Sequence, residues 1–316
     1  MRRVFIALTG LLWVSTGLMA DTTEQVTPPA DQPNLLPPVI VQEDEPRYVA
    51  PTLRDRIGRI WAPVMINGKG PYRLVLDTGA NSSAIIPSVV KSLGVPLHAS
   101  KKVQLHGVTG SAVVPIVRAD SLEVGDLYID GANLPVVADV FGGAEGILGP
   151  KGLGDKRIFI DFNDDLIRIQ RSRGESPGPG FTRVPVEFTA GQLLMFEIRI
   201  GGIRTKAILD TGAQITLGNN SLREALLRRK RQGEEQDIIG VTLDVQTGEA
   251  FYVPTIALGG IEVRNMRVTF GDMFIFEQWK MNDAPAMLIG MDVIGSLGTL
   301  VIDYKQRELH MRPRRR

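Results

Sequence analysis

Asp77 and Asp210 stand in matching settings 133 residues apart, Val75-Leu76-Asp77-Thr78-Gly79-Ala80 and Ile208-Leu209-Asp210-Thr211-Gly212-Ala213. A single Asp-Thr-Gly is common by chance. Two of them, each led by a pair of apolar residues, mark a duplicated unit that supplies one carboxylate from each copy. Two carboxylates held close together cannot both ionise cheaply, so they share one proton. Such a pair can activate water: the ionised member takes a proton while the protonated member polarises a carbonyl. The apolar pairs would anchor each Asp at the end of a buried strand. Gly79 and Gly212, lacking a Cβ, let the chain turn sharply and let the two loops approach.

Two further triplets follow at similar intervals. Ile147-Leu148-Gly149 ends 72 residues after Asp77, and Leu288-Ile289-Gly290 ends 80 residues after Asp210. These four segments, in this order, resemble the paired marks of the aspartic proteases, and the retropepsin branch more than pepsin. The resemblance implies a mainly β, bilobal acid-protease fold: two homologous β-barrel-like lobes with a few short helices. It implies an aspartic endopeptidase that attacks a peptide bond with water through a tetrahedral gem-diol, with no acyl-enzyme. Asp77 and Asp210 are the implied catalytic residues. Thr78 and Thr211 would hydrogen-bond across to the opposite loop and, with Gly79 and Gly212, support the dyad. No cofactor and no metal are implied. The chain departs from pepsin at Ala80 and Ala213, where pepsin-like enzymes place a hydroxyl that lowers the dyad pKa. A dyad without that donor should work at mildly acidic to near-neutral pH.

The elements that must position this chemistry are repeated as well. Residues 60–80 align without a gap on 193–213, and 158–162 answer 300–304. Apolar runs broken by Gly and Pro predict short strands at 60–66, 72–76, 102–105, 113–117, 121–124 and 134–138. A helix is expected over 87–93, with Pro87 at its start and Gly94 past its end. A second is expected over 221–232, its basic run of Arg223, Arg228, Arg229, Lys230 and Arg231 forming either a solvated face or a dock for an acidic partner or anionic lipid. A lid over the cleft should come from a Gly-rich hairpin tip. In the first lobe the candidates are His106, Gly107, Val108, Thr109 and Gly110. In the second the candidate is about 243–249, with the turn at Thr247-Gly248. His106 there would be a solvated loop histidine or a pH-sensitive group.

Composition narrows the rest. The 316 residues suffice for two domains, and a net charge of +1 argues against a nucleic-acid or membrane-surface role driven by bulk charge. The absence of cysteine excludes disulfides, zinc–thiolate sites, a cysteine nucleophile and an acylated lipoprotein anchor. His98, His106 and His310 have no metal-ligand spacing. Residues 1–20 read as a secretory signal: Arg2 and Arg3, an apolar run to Met19, and a cleavage position at Ala20. The protein is therefore expected in the periplasm or secreted. An uncut signal would leave a single N-terminal membrane anchor. Residues 21–46, acidic and rich in proline, form a leader that is either a linker or a prosegment over the cleft. Its acidity departs from the basic prosegments of pepsin-type enzymes. The first lobe is expected over 47–172, a Gly/Pro/Ser linker over 173–180, the second lobe over 181–312 and a basic tail over 313–316. Two complete lobes predict a monomer that binds an extended protein or peptide substrate by strand-like pairing. The reading from another class is a noncatalytic peptide-binding module using the same cleft. Loss of either Asp would have favoured it, and both are present.

Overall fold

The structure is a computed structural model of the 316-residue chain; it describes residues 4–5, 48–51, 53–54, 58–124, 127–189, 192–227 and 233–314. Three sheets carry nearly all of the regular structure among these residues, and four short helices accompany them.

Each half builds the same four-strand centre. In the first half the order is Ala84–Ile85, Gly146–Leu148, Lys69–Leu76, Ile60–Ile66, and in the second it is Leu217–Gly218, Ala286–Ile289, Ile203–Leu209, Leu193–Ile200. The alternation of Ile60–Ile66 sets its faces: Ile60, Ala62, Val64 and Ile66 are buried, and Trp61, Pro63 and Met65 are half-buried. Each strand leading into an Asp-Thr-Gly lies parallel to a second-triplet strand, Val75 opposite Ile147 and Ile208 opposite Leu288. The two motifs of each half are thus locked side by side.

The third sheet joins the halves. Its order is Thr182–Pro185, Glu308–Pro313, Leu297–Asp303, Lys156–Asp161, Leu166–Arg171, Tyr48–Pro51. Its central pair is antiparallel, with Phe159 opposite Val301, its own counterpart in the repeat. That pairing is what a two-fold axis relating the halves produces. Every residue of Leu297–Asp303 is buried, as expected for a strand covered on both faces.

Helix Pro87–Leu93 forms where expected. Proline opens it, and Gly94 closes it at φ 69°, donating its N–H to Val90 and Lys91 carbonyls. The second helix is shorter than its sequence suggests. It runs Asn220–Leu226, capped by the Asn219 side chain, which accepts from Leu222 N–H, and it stops at Leu227. Residues 228–232, with most of the basic run, lie outside the described residues. The expected strands at 113–117 and 121–124 are one, Ser111–Val124, and the strand expected at 134–138 is Leu127–Pro135. Pro313, expected to open the tail, closes the last strand opposite Leu297. Residues 173–180 form neither strand nor helix. They are tied to the joining sheet by Arg157, which donates to the Glu175 carbonyl at 2.7 Å and its carboxylate at 3.2 Å.

Of the signal and leader, only Val4–Phe5 is described, as a short strand parallel to Glu234–Ile239. Among the described residues, no helix is long and apolar enough to cross a membrane.

Candidate active site

The two Asp-Thr-Gly loops meet between the lobes. Thr78 N–H donates to Thr211 Oγ1 at 3.1 Å, and Thr211 N–H returns the bond to Thr78 Oγ1 at 3.1 Å. Each hydroxyl then donates to the opposite strand, Thr78 to the Leu209 carbonyl at 2.8 Å and Thr211 to the Leu76 carbonyl at 2.6 Å. Four reciprocal bonds therefore fix one loop against the other, and use both N–H groups and both hydroxyls of the two threonines.

Glycine is required here by closeness. A Cβ on Gly79 would lie 2.4 Å from Asp210 Cγ, and one on Gly212 would lie 2.4 Å from Asp77 Cγ. Each carboxyl group packs on the bare Cα of the opposite loop. The second triplets hold the loops from behind. Asp77 N–H donates to Leu148 O and Asp210 N–H to Ile289 O, both at 3.0 Å. Ser83 Oγ accepts from Gly149 N–H and Thr216 Oγ1 from Gly290 N–H, both at 3.1 Å. Sequence reading missed these two hydroxyls. Their signal was available, since each stands six residues past its Asp.

The carboxyl groups are 1% and 0% exposed. One oxygen of each is fixed. Asp77 Oδ1 accepts from Gly79 N–H at 2.8 Å and Ala80 N–H at 3.0 Å; Asp210 Oδ1 accepts from Gly212 N–H at 2.9 Å and Ala213 N–H at 3.0 Å. Oδ2 of each is buried and takes no backbone or hydroxyl hydrogen bond. Burial holds the Asp77 carboxyl well above the usual carboxylate range, helped by the Asp210 charge and by a hydrogen bond that Asp77 shares with Asp210. Burial also raises Asp210, to about 6. The bond from Asp77 and the N–H groups of Gly212 and Ala213 oppose that rise. Both carboxyl groups are held above the usual range, so the pair keeps one proton between them at a pH where free carboxyls are ionised. Ala80 and Ala213 contribute backbone N–H groups only, as their side chains dictate.

The first-lobe lid candidates form a hairpin tip between strands His98–His106 and Ser111–Val124, closed by Gly107 N–H donating to Gly110 O at 2.8 Å. The His106 ring stacks on Phe274 at 5.9 Å, and burial lowers its pKa. The second-lobe tip is not at Thr247-Gly248. Those residues lie inside strand Val245–Tyr252, and the turn is Gly240–Asp244, after strand Glu234–Ile239. The two tips touch. A Cβ on Gly107 would lie 3.2 Å from Val241 Cγ1, and Gly110 packs on the Asp244 carboxylate.

The family profile described as "Aspartyl protease" matches residues 62–150 and 196–293, more than half of the chain. Among solved structures, a retropepsin-like aspartic protease from Rickettsia conorii is 14% identical, over 43% of this chain and 95% of its own, with a TM-score of 0.29. Basic 7S globulin from soybean is 9% identical, over 85% of this chain and 96% of its own, with a TM-score of 0.47. No curated protein matches the chain.

Proposed function

The chain belongs to the aspartyl protease family, and we propose from that premise that it is a single-chain aspartic endopeptidase in which Asp77 and Asp210 activate one water against a peptide bond. The observation that carries this reading is the division of labour within each carboxyl group. Oδ1 is held by two backbone N–H groups, and Oδ2 is bound by no backbone or hydroxyl donor. The oxygens that can take or give a proton are thus the ones left for chemistry.

The ionised member of the pair takes a proton from the water. The protonated member gives its proton to the scissile carbonyl as the water oxygen attacks, and a gem-diol forms. Return of a proton to the amide nitrogen then lets the C–N bond break. The threonine bonds across the loops keep the carboxyl groups in register throughout. The substrate is an extended peptide, and the working unit is the monomer, because both carboxylates come from one chain. The basic and then apolar residues 1–20 support action on extracytoplasmic proteins, in the periplasm or outside the cell, free or held by one N-terminal anchor.

Digestion of denatured casein in oxygen-18 water, with hydroxylamine present, tests the mechanism. Each new carboxyl terminus should carry a solvent oxygen, and no hydroxamate should form. A hydroxamate product would reveal an acyl-enzyme and refute the reading.

A further inference from the structure

The two halves match around their aspartates, but the loop of the second is held by a carboxylate that the first lacks. Aligned on the second triplets, Gly149-Pro150-Lys151 answers Gly290-Met291-Asp292. The Asp292 side chain grips Thr216, six residues past Asp210. Thr216 N–H donates to Asp292 Oδ2 at 3.0 Å, and the Thr216 hydroxyl donates to Asp292 Oδ1 at 2.6 Å. Val293 N–H also donates to Oδ1, at 2.8 Å, and steadies the carboxylate on its own helical turn, Met291–Ile294. Hydrogen bonds to a charged acceptor are the stronger kind, and Thr216 makes two of them to one group. Thr216 is 0% exposed, so water cannot replace either bond.

The grip extends to the dyad. Because the Thr216 hydroxyl proton goes to Asp292, its oxygen is left to accept from Gly290 N–H at 3.1 Å. Ile289, the residue before Gly290, accepts from Asp210 N–H at 3.0 Å. Met291 N–H donates to the Ala213 carbonyl at 2.8 Å, and Asp292 N–H to the Gln214 carbonyl at 3.2 Å. A path of bonds thus runs from Asp292 through Thr216 and Gly290 to the backbone of Asp210. The first lobe repeats only the inner part, Asp77 N–H to Leu148 O and Gly149 N–H to Ser83 Oγ. Its outer part cannot form. Pro150 has no N–H to give to Ala80. Lys151 is exposed, and an ammonium has no acceptor for Ser83.

We propose that Asp292 is a positioning residue for Asp210, so that the dyad is built from one clamped loop, 210–216, and one compliant loop, 77–83. The clamp rests on the protease reading for its part in turnover, but not for its existence. Asp292 touches neither water nor peptide in this account. It fixes where one carboxyl group stands, and an error in that placement lowers the rate of the chemical step without weakening substrate binding.

Two measurements test it on the full chain. The first is backbone hydrogen–deuterium exchange read by mass spectrometry. In the wild type, residues 213–216 should exchange roughly tenfold more slowly than residues 80–83. Asp292→Asn keeps the shape of the side chain, but its NH2 cannot accept from Thr216 N–H. It should speed exchange at 213–216 roughly tenfold and leave 80–83 unchanged. The second is cleavage of a casein peptide. Asp292→Asn should lower kcat roughly tenfold with KM within about twofold of wild type. Adding it to Thr216→Val should cost nothing beyond Thr216→Val alone, because Asp292 acts through Thr216. Thr216→Ser keeps the hydroxyl and should retain wild-type exchange and kcat. Equal exchange of the two loops in the wild type overturns the clamp, and that comparison needs no variant to fold. So does Asp292→Asn with unchanged exchange at 213–216, a loss confined to KM, or a loss that adds to that of Thr216→Val. Failure of the protease reading would show separately, as the predicted exchange pattern in a chain that cleaves no peptide.

Discussion

The buried dyad should make this protein less stable than it need be, and replacing one aspartate should show it. Asp210 is fully buried, and its carboxyl is raised from 3.8 to about 6. A raised value means that the folded chain holds the proton more tightly than the unfolded one. The stabilising effect of that proton is complete below about pH 3.8 and is lost as pH rises through about 6. Above that range the folded state carries a penalty of about 3 kcal/mol for ionising the site. Asp210→Asn removes the ionisation and little else. The amide oxygen can still accept from Gly212 and Ala213 N–H, and the amide NH2 can donate to Asp77. The variant should therefore melt higher than wild type at pH 8, by about 4–5 °C for a chain of this size. The two curves should converge toward pH 4. Thermal melts by calorimetry or circular dichroism across pH 4–8 give the comparison. A variant less stable than wild type at pH 8, or a gap that does not change with pH, would refute the reasoning.

Catalysis should follow the same carboxyl groups. The singly protonated pair prevails above about pH 6, so kcat/KM should rise through pH 6 and hold near neutrality. Ala213→Ser adds a hydroxyl donor beside Asp210 and should move the acid limb down by about one pH unit; a wild-type optimum near pH 2–3 would contradict both statements. Thr78→Val strands the Leu209 carbonyl and the Thr211 N–H, and should destabilise the chain by about 2–6 kcal/mol in denaturant titrations. Thr78→Ser keeps the hydroxyl and should remain within about 1 kcal/mol of wild type; equal losses in the two variants would exclude the cross-loop bonds as the cause.

The parts that were legible in the sequence are those decided locally. Ile60–Ile66 alternates, Pro87 and Gly94 bracket a helix, and the repeated Asp-Thr-Gly settings anticipate two loops built alike. What escaped was decided by neighbours distant in the chain. Gly248 reads as a turn residue, yet it lies in a strand, because a Cβ there would meet the Phe270 carbonyl at 2.8 Å. The real tip uses Leu243 at φ 68°, a left-handed leucine that no propensity announces. The expected second helix ends at Leu227, and little of it faces the core. Leu222 is its sole buried side chain. Val108, between two glycines and a threonine, reads as an exposed turn. Its burial depends wholly on the other lobe.

The central claim is that one chain supplies both carboxylates of a working dyad. It is tested most directly by cleavage of denatured casein near neutral pH with wild type, Asp77→Asn, Asp210→Asn and an equimolar mixture of the two variants. The wild type should cleave, each variant should lose activity by about a thousandfold or more, and the mixture should stay inactive. Near-normal cleavage by either variant would contradict the shared dyad, and activity regained on mixing would place the dyad between two chains.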